Sequence, residues 1–308
     1  MPLAEQLLDA SLWASVTRAL IPVLLAAIGG MICERAGVFQ ISLEGMMLVG
    51  AFGAVAMAHV SGSATIGSAA AVMAAVLLSL ILAFGAVSRD GNPIVLGIAI
   101  NILALGITSF LLPQLFGVRG TFQPEGGVRI PRLLLPGLSE LPFLGPVLFS
   151  LSFLGYVALV LVPLTWFVLF RTPVGLRLRG VGERPMAAET LGVSTNTYKY
   201  LAVIASGALT GLAGAQLALG NVGVFAENMS SGRGWIAVVA VLLGRAHPVG
   251  VLGACLLFGF AEAFGFRLQG QGLAVQITDA VPFVVTLIAL VLARKRFTRL
   301  LDLSETKI

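Results

Sequence analysis

Charge is the scarce ingredient of this sequence. Only 11% of its 308 residues are Asp, Glu, Lys or Arg, where a soluble domain carries roughly a quarter. That leaves too little polar surface to cover a globule in water. Cysteine and histidine are scarcer still, at two each. Cys33 and Cys255 fall in or at the edge of apolar runs, which excludes a disulfide framework and offers no metal-ligand spacing. Histidines and carboxylates do not cluster, and His247 stands alone, so neither a metal site nor a proton relay is assigned. There is no HExxH and no CxxC pair. The GxxxxGK[ST] phosphate loop is missing too, so this chain does not hydrolyse ATP by that means. An intramembrane enzyme would need a nucleophile and a base, and no such pair is found; no residue is assigned as catalytic.

What fills the sequence is hydrocarbon. Residues of hydrophobic type make up 58% of it, and the mean hydropathy is +1.00. Nine apolar segments can be drawn, over approximately 12–33, 44–60, 64–88, 93–116, 147–170, 200–220, 234–246, 249–267 and 277–293. Most match the roughly 18 or more residues that a membrane-crossing helix needs. The seventh is too short to span alone and is either a half-helix or one arm of a broken pair. The expected fold is therefore all-α, a polytopic bundle of about 8–9 spans in one transmembrane domain over 1–308. The N-terminal MPLAEQLLDA has acids and no basic stretch, which argues against a cleavable signal peptide.

The formal net charge of +5 does not mark a nucleic-acid binder, because the basic residues lie in small groups between apolar spans. They orient the chain instead. With the N-terminus outside, Arg35, Arg89, the 171–199 loop and the 294–299 cluster all fall inside, against Arg119, Arg129, Arg132, Arg233 and Arg267 outside. The outside loop 117–146 is rich in Pro and Gly and is expected to cap the outer mouth without regular structure.

Polar residues interrupt the hydrocarbon in two related places. "GVFQISLEGMMLVGAF" begins at Gly37, and "GVFAENMSSGRGWIAVVAVLLG" begins at Gly223. Each has Gly-Val-Phe, a polar patch with one Glu (Glu44, Glu227) and a Gly leading into an apolar helix. The first copy is assigned to the inner face and the second to the outer, as inverted-topology repeats require. Non-helical backbone at membrane depth is tolerated only beside a cavity or buried in protein. Ser42 can cap the helix that follows, and Glu44 would lie in its first turn; alternatively these residues simply finish a helix at headgroup level. Phe39 and Gln40, in the bend, Glu44 just after it and Phe225 in its echo are candidates for lining a pathway.

Asn101 lies two turns into its helix, where it either bonds a neighbouring helix or meets a substrate. Charged residues in spans are functional candidates by default, here Glu262, Asp279 and Arg18, although the last two can snorkel or cap. In "SGALTGLAGA", Gly207, Gly211 and Gly214 read as a close helix-packing face. Trp235 reads as an interface anchor.

"ERAGVFQISLEGMMLVGAF" and "GNPIVLGIAINILALGITSFL" resemble the permease subunits of bacterial ATP-binding-cassette importers of the branched-chain amino acid, ribose and simple-sugar superfamily. The branch is that of the nucleoside importers, with Gln40 where that branch usually has Asn. The resemblance implies a type II importer-like permease in the bacterial cytoplasmic (inner) membrane. It implies a cytoplasmic ATPase carrying the ATP and Mg, with no cofactor in this chain. It also implies a second homologous permease, an extracytoplasmic substrate-binding protein, and contact with membrane lipid but not nucleic acid. The substrate implied is a purine nucleoside, with a simple sugar or a branched-chain amino acid as alternatives. The loop 171–199 is similar to the family's coupling segment. Within it Glu183 to Leu191 reads as a short helix, with Ala187 and Ala188 on one side, Arg184 among its charges and Gly192 just past its end. By position Gly182, Ala187, Ala188, Gly192 and Val193 match that segment, and the resemblance implies that Gly182, Glu183, Arg184, Ala187, Ala188, Leu191 and Gly192 would meet the ATPase. An ion-coupled secondary transporter is the competing class; it would want carboxylates at mid-depth, which Glu262 and Asp279 match poorly.

Overall fold

The computed structural model describes residues 9–269, apart from 125, 134–136, 138, 140 and 142, together with a few positions between 280 and 288. Asp279 and most of the ninth apolar segment fall outside the described residues. Among those described, seven helices are long and apolar enough to cross a membrane. They are α1 (Ala10–Arg35), α2 (Leu43–Ser61), α3 (Ala64–Ser88), α4 (Pro93–Phe116), α6 (Phe153–Arg171), α9 (Thr195–Val222) and α11 (Pro248–Gln269). Between them lie α5 (Leu144–Leu148), α7 (Pro173–Glu183), α8 (Pro185–Thr190) and α10 (Arg233–Leu243). The chain is a multi-pass membrane protein.

Burial separates the helices by role. A helix apolar all round belongs in the middle of a bundle or against lipid, and composition alone cannot say which. Packing decides: 83% of the apolar stretch of α1 is buried but only 22% of that of α4. Leu24, Leu25, Ala26 and Ala27 of α1 are fully enclosed. By contrast Ile102 and Phe110 of α4 are exposed at 67% and 65%, as a surface bathed in lipid tolerates.

The glycine face of α9 behaves as its spacing predicts. A Cβ at Gly211 would stand 2.9 Å from Val72 Cα on α3, and one at Gly214 would stand 2.5 Å from Ala51 N on α2. Only glycine allows backbones this close, and without a hydrophobic drive in lipid such contact supplies the dispersion energy of helix association.

Loops sort to two ends. At one end Arg35, Phe170, Gly182 and the turn at 245–246 come together. At the other, β1 (Thr121–Phe122) pairs antiparallel with β2 (Phe225–Ala226), and Phe116 stacks on Phe122 at 3.9 Å. This division matches the inside and outside loops of the charge count. The 117–146 loop is more regular than expected: besides β1 it holds α5 and a bridge from Arg132 to Ser152. The fifth span consequently starts at Phe153 rather than 147, where Ser152 Oγ accepts from Gly155 N. At the same end Asp9 caps α1, and its carboxylate meets the guanidinium of Arg267. The Ser11 main-chain N–H, the Ser11 hydroxyl and Arg267 hold Asp9 down at about 2. A carboxyl depressed this way keeps its contribution above the ordinary pKa and loses it only as pH falls through about 2.

Candidate functional site

Both expected interruptions exist, and both turn on a left-handed glycine. Gly37 has φ +79° just beyond α1, and Gly223 has φ +84° just beyond α9. The chain then runs without a helix through 38–42 and 224–232 before resuming as α2 and α10. Helix α10 has 11 residues, about 16 Å at 1.5 Å each, roughly half the hydrocarbon core. It is a half-helix in its own right, closed by positive φ at Arg245 and Ala246 before α11 begins.

A helix that restarts inside a bundle leaves first-turn N–H groups without intrahelical partners, each costing about 1–3 kcal/mol if buried unmet. Here other elements meet them. Glu44, on α2, accepts from Gly232 N at 2.8 Å through Oε1 and from Gly234 N at 2.7 Å through Oε2. Its carboxylate therefore caps α10, where negative charge is favoured by the helix dipole. Asn101, on α4, accepts from Gly45 N through Oδ1 at 2.8 Å and donates through Nδ2 to Ile41 O at 3.1 Å. Each resumed helix is thus capped by a side chain from a different element. Of the two roles open to Asn101, the structure shows the helix-bonding one. Replacing Asn101 with Leu is expected to cost about 1–3 kcal/mol by stranding both groups, read as a lower melting temperature of the detergent-purified protein. An unchanged melting temperature would show that the bonds contribute nothing.

Several expected roles move. Ser42 precedes α2 but makes no capping bond; its φ of −74° with ψ 10° departs from the extended N-cap geometry, and its hydroxyl faces Met46 Sδ at 3.9 Å. Gln40 does not face a pathway in this chain. It is 3% exposed, accepts from Cys33 Sγ at 2.7 Å and donates to Met46 Sδ at 3.2 Å. Its amide is occupied holding the bend to α1 and α2. Phe225 is likewise enclosed, at 1%, with its ring edge-on to Phe52 at 5.2 Å. Phe39 is half-buried and packs against the main core. Periodicity is lost in a bend, so the sequence holds no signal for which way these side chains point.

Glu262, a functional candidate for its charge inside a span, has a structural partner. This is Arg233, the first residue of α10, at 2.5 Å. Arg233 also donates to Met229 O and Ser230 O, so one guanidinium ties the second interruption to α11. Glu227, the echo of Glu44, instead accepts from Gly120 N at 3.1 Å and steadies the loop end.

The segment 171–199 is two helices where one was expected. Thr172 Oγ1 accepts from Gly175 N at the start of α7, with Pro173 in its first turn. Glu183 ends α7 rather than opening the next helix, because Pro185 cannot continue a helix but fits the first turn of α8. Gly192, with φ +76°, follows α8 as expected. Glu183, Arg184, Ala187, Ala188, Leu191 and Gly192 line a single open groove of about 610 Å3. Met186 beside it and Leu191 on its wall are exposed at 81% and 83%. Gly182 is separate: a Cβ there would stand 2.9 Å from Gly37 N and closer still to Arg35 O. The loop's inner edge thus rests on the first interruption, and its outer edge exposes apolar side chains.

Comparison with known proteins fits this geometry. The chain is 38% identical to the guanosine ABC transporter permease protein NupQ of Bacillus subtilis, over 87% of each chain. It is 33% identical to the nucleoside ABC transporter permease protein NupC of Lactococcus lactis, over 88% of each. It is 36% identical to a putative glucose ABC transporter permease protein, TsgC13, of Haloferax volcanii, over 89% of this chain and 81% of that one. A family model covers residues 12–290. With matches of that extent, the chain belongs to the family of branched-chain amino acid transport system permease components.

Proposed function

We propose that this chain is one transmembrane subunit of an ATP-driven importer of purine nucleosides in a bacterial cytoplasmic membrane. The observation that carries the substrate is the similarity, over 87–88% of the chain, to permeases named for guanosine and nucleoside transport. A second guanosine permease of the same Bacillus, NupP, is also similar, at 27% identity over 88% of this chain. Two different permeases named for one substrate support pairing of this chain with a homologous but distinct subunit. ATP and Mg belong to a separate ATPase, docked on the cytoplasmic segment through the groove lined by Glu183, Arg184, Ala187, Ala188, Leu191 and Gly192. A binding protein delivers substrate at the loop end.

In this reading, ATPase closure displaces α7 and α8. Gly182 lies against Gly37, so the displacement reaches the first interruption directly, and the Glu44 cap carries it to α10. Phe39, Glu44 and Asn101 flank that junction and are the residues of this chain proposed to border the pathway.

The test is uptake of labelled adenosine by cells carrying the whole transporter, with and without this chain, competed by guanosine, ribose and leucine. Loss on deletion, with competition by guanosine alone, supports the nucleoside reading. Chain-dependent entry of ribose instead would favour a simple-sugar importer, the second reading, which the glucose-permease relative supports. The docking role has its own test: Leu191→Asp is expected to abolish co-purification of the ATPase while the permease still inserts. Retained ATPase would place the contact elsewhere.

A further inference from the structure

Arg35 is the last residue of α1, immediately before the first interruption. Its Nε donates to Ala246 O at 2.7 Å and its Nη2 to Arg245 O at 3.3 Å. Those carbonyls follow the C-terminus of α10, where the chain turns through φ +55° and +47°. A cation is favoured at that negative helix end. The guanidinium also lies over the ring of Phe170, 5.6 Å from its centroid, within cation–π range. Arg179 of α7 lies over the same ring at 4.8 Å.

One side chain therefore links three places: it touches the inner end of α10 and the last turn of α6, and through the shared Phe170 ring it is joined to Arg179 of α7. Gly182 of α7 presses on the Arg35 carbonyl itself. Beside this junction is a cavity of about 320 Å3 lined by Glu34, Arg35, Gly182, Glu183 and Arg245 among others. The guanidinium has room to release one set of contacts and make another, which a tightly packed structural arginine lacks. Gly182 links the cytoplasmic segment to the first interruption. Arg35 also reaches the inner end of α10.

We propose that Arg35 is a positioning residue for energy coupling, transmitting movement of the cytoplasmic helices to the first interruption and to the inner end of the half-helix α10 together. This rests on the importer reading above. Lysine would keep the charge but not the planar fork that donates to two neighbouring carbonyls while stacking on a ring.

The experiment uses the complete transporter, with ATPase, second permease and binding protein, in proteoliposomes. It compares wild type with Arg35→Gln and Arg35→Lys and reads ATP hydrolysed per substrate imported. Uptake is expected to fall about tenfold, the scale of one lost charge-assisted hydrogen bond, while ATP hydrolysis stays within about twofold. The ratio therefore rises, which a loss of folded protein would not produce because both rates would fall together. A ratio equal to wild type in both variants overturns the proposal. If neither variant assembles, Phe170→Leu decides, since it removes the ring and leaves the carbonyl bonds. A raised ratio there supports coupling through the ring, and a wild-type ratio overturns it. The ratio is taken for whichever substrate the wild-type complex carries, so the coupling role of Arg35 stands or falls independently of the nucleoside assignment.

Discussion

Glu44→Ala is expected to lower the stability of the purified protein by about 3–6 kcal/mol and to eliminate uptake. Two interior N–H groups would be left unmet, at about 1–3 kcal/mol each, and the favourable charge at a helix N-terminus would be lost with them. Both carboxylate oxygens are engaged, one with Gly232 N and one with Gly234 N. The conservative variant separates shape from charge. Glu44→Gln fills the same space but turns an NH2 group toward one of those N–H donors, so roughly half the loss is expected to remain. Thermal unfolding in detergent measures the stability and vesicle uptake measures the function. Wild-type values for Glu44→Ala would mean that water or rearrangement satisfies α10 without the carboxylate.

Gly214→Leu is the second large effect, and it acts on folding rather than on the site. A side chain there would meet Ala51 N and Met47 O of α2. Both are backbone, so the helices must part instead of a side chain turning aside. Overpacking a core costs about 1–3 kcal/mol when neighbours can shift, and more is expected here because they cannot. Parting α9 from α2 would also loosen the packing around Gly211, one turn earlier on α9. The expected result is loss of monodisperse protein on extraction. Gly253→Leu is the control: it lies in α11 with open space where its Cβ would go, and it should leave extraction unchanged. Equal behaviour of the two variants would show that close approach at Gly214 does not hold the bundle.

The two cases differ in how far the sequence exposes them. The spacing of Gly207, Gly211 and Gly214 points to a packing face, because periodicity along one helix is a local property. Glu44 is visible as a polar residue in an apolar run and is expected in the first turn of its own helix, which is where it lies. That it caps α10, far along the chain, is not visible. The same limit explains Asn101, whose partners Ile41 and Gly45 lie on the bend before α2 and in its first turn, and Glu262, whose partner Arg233 opens α10. Gln40 and Phe225 show it in reverse. A polar or aromatic residue in a bend suggests a pathway lining, and each proves to be a buried contact.

By itself the sequence determined the class, the membrane, most of the spans and the two interruptions. Scarce charge, long apolar runs and glycine before a helix restart are each read along the chain, and each follows from what hydrocarbon and backbone geometry permit. Tertiary structure alone decided which helix is central, which side chain caps which restarted helix, and that Arg35 joins the end of α1 to the end of α10. In lipid every helix surface is apolar, so hydropathy cannot rank neighbours. Hydrogen bonds between residues distant in the chain form only after packing has brought them within reach.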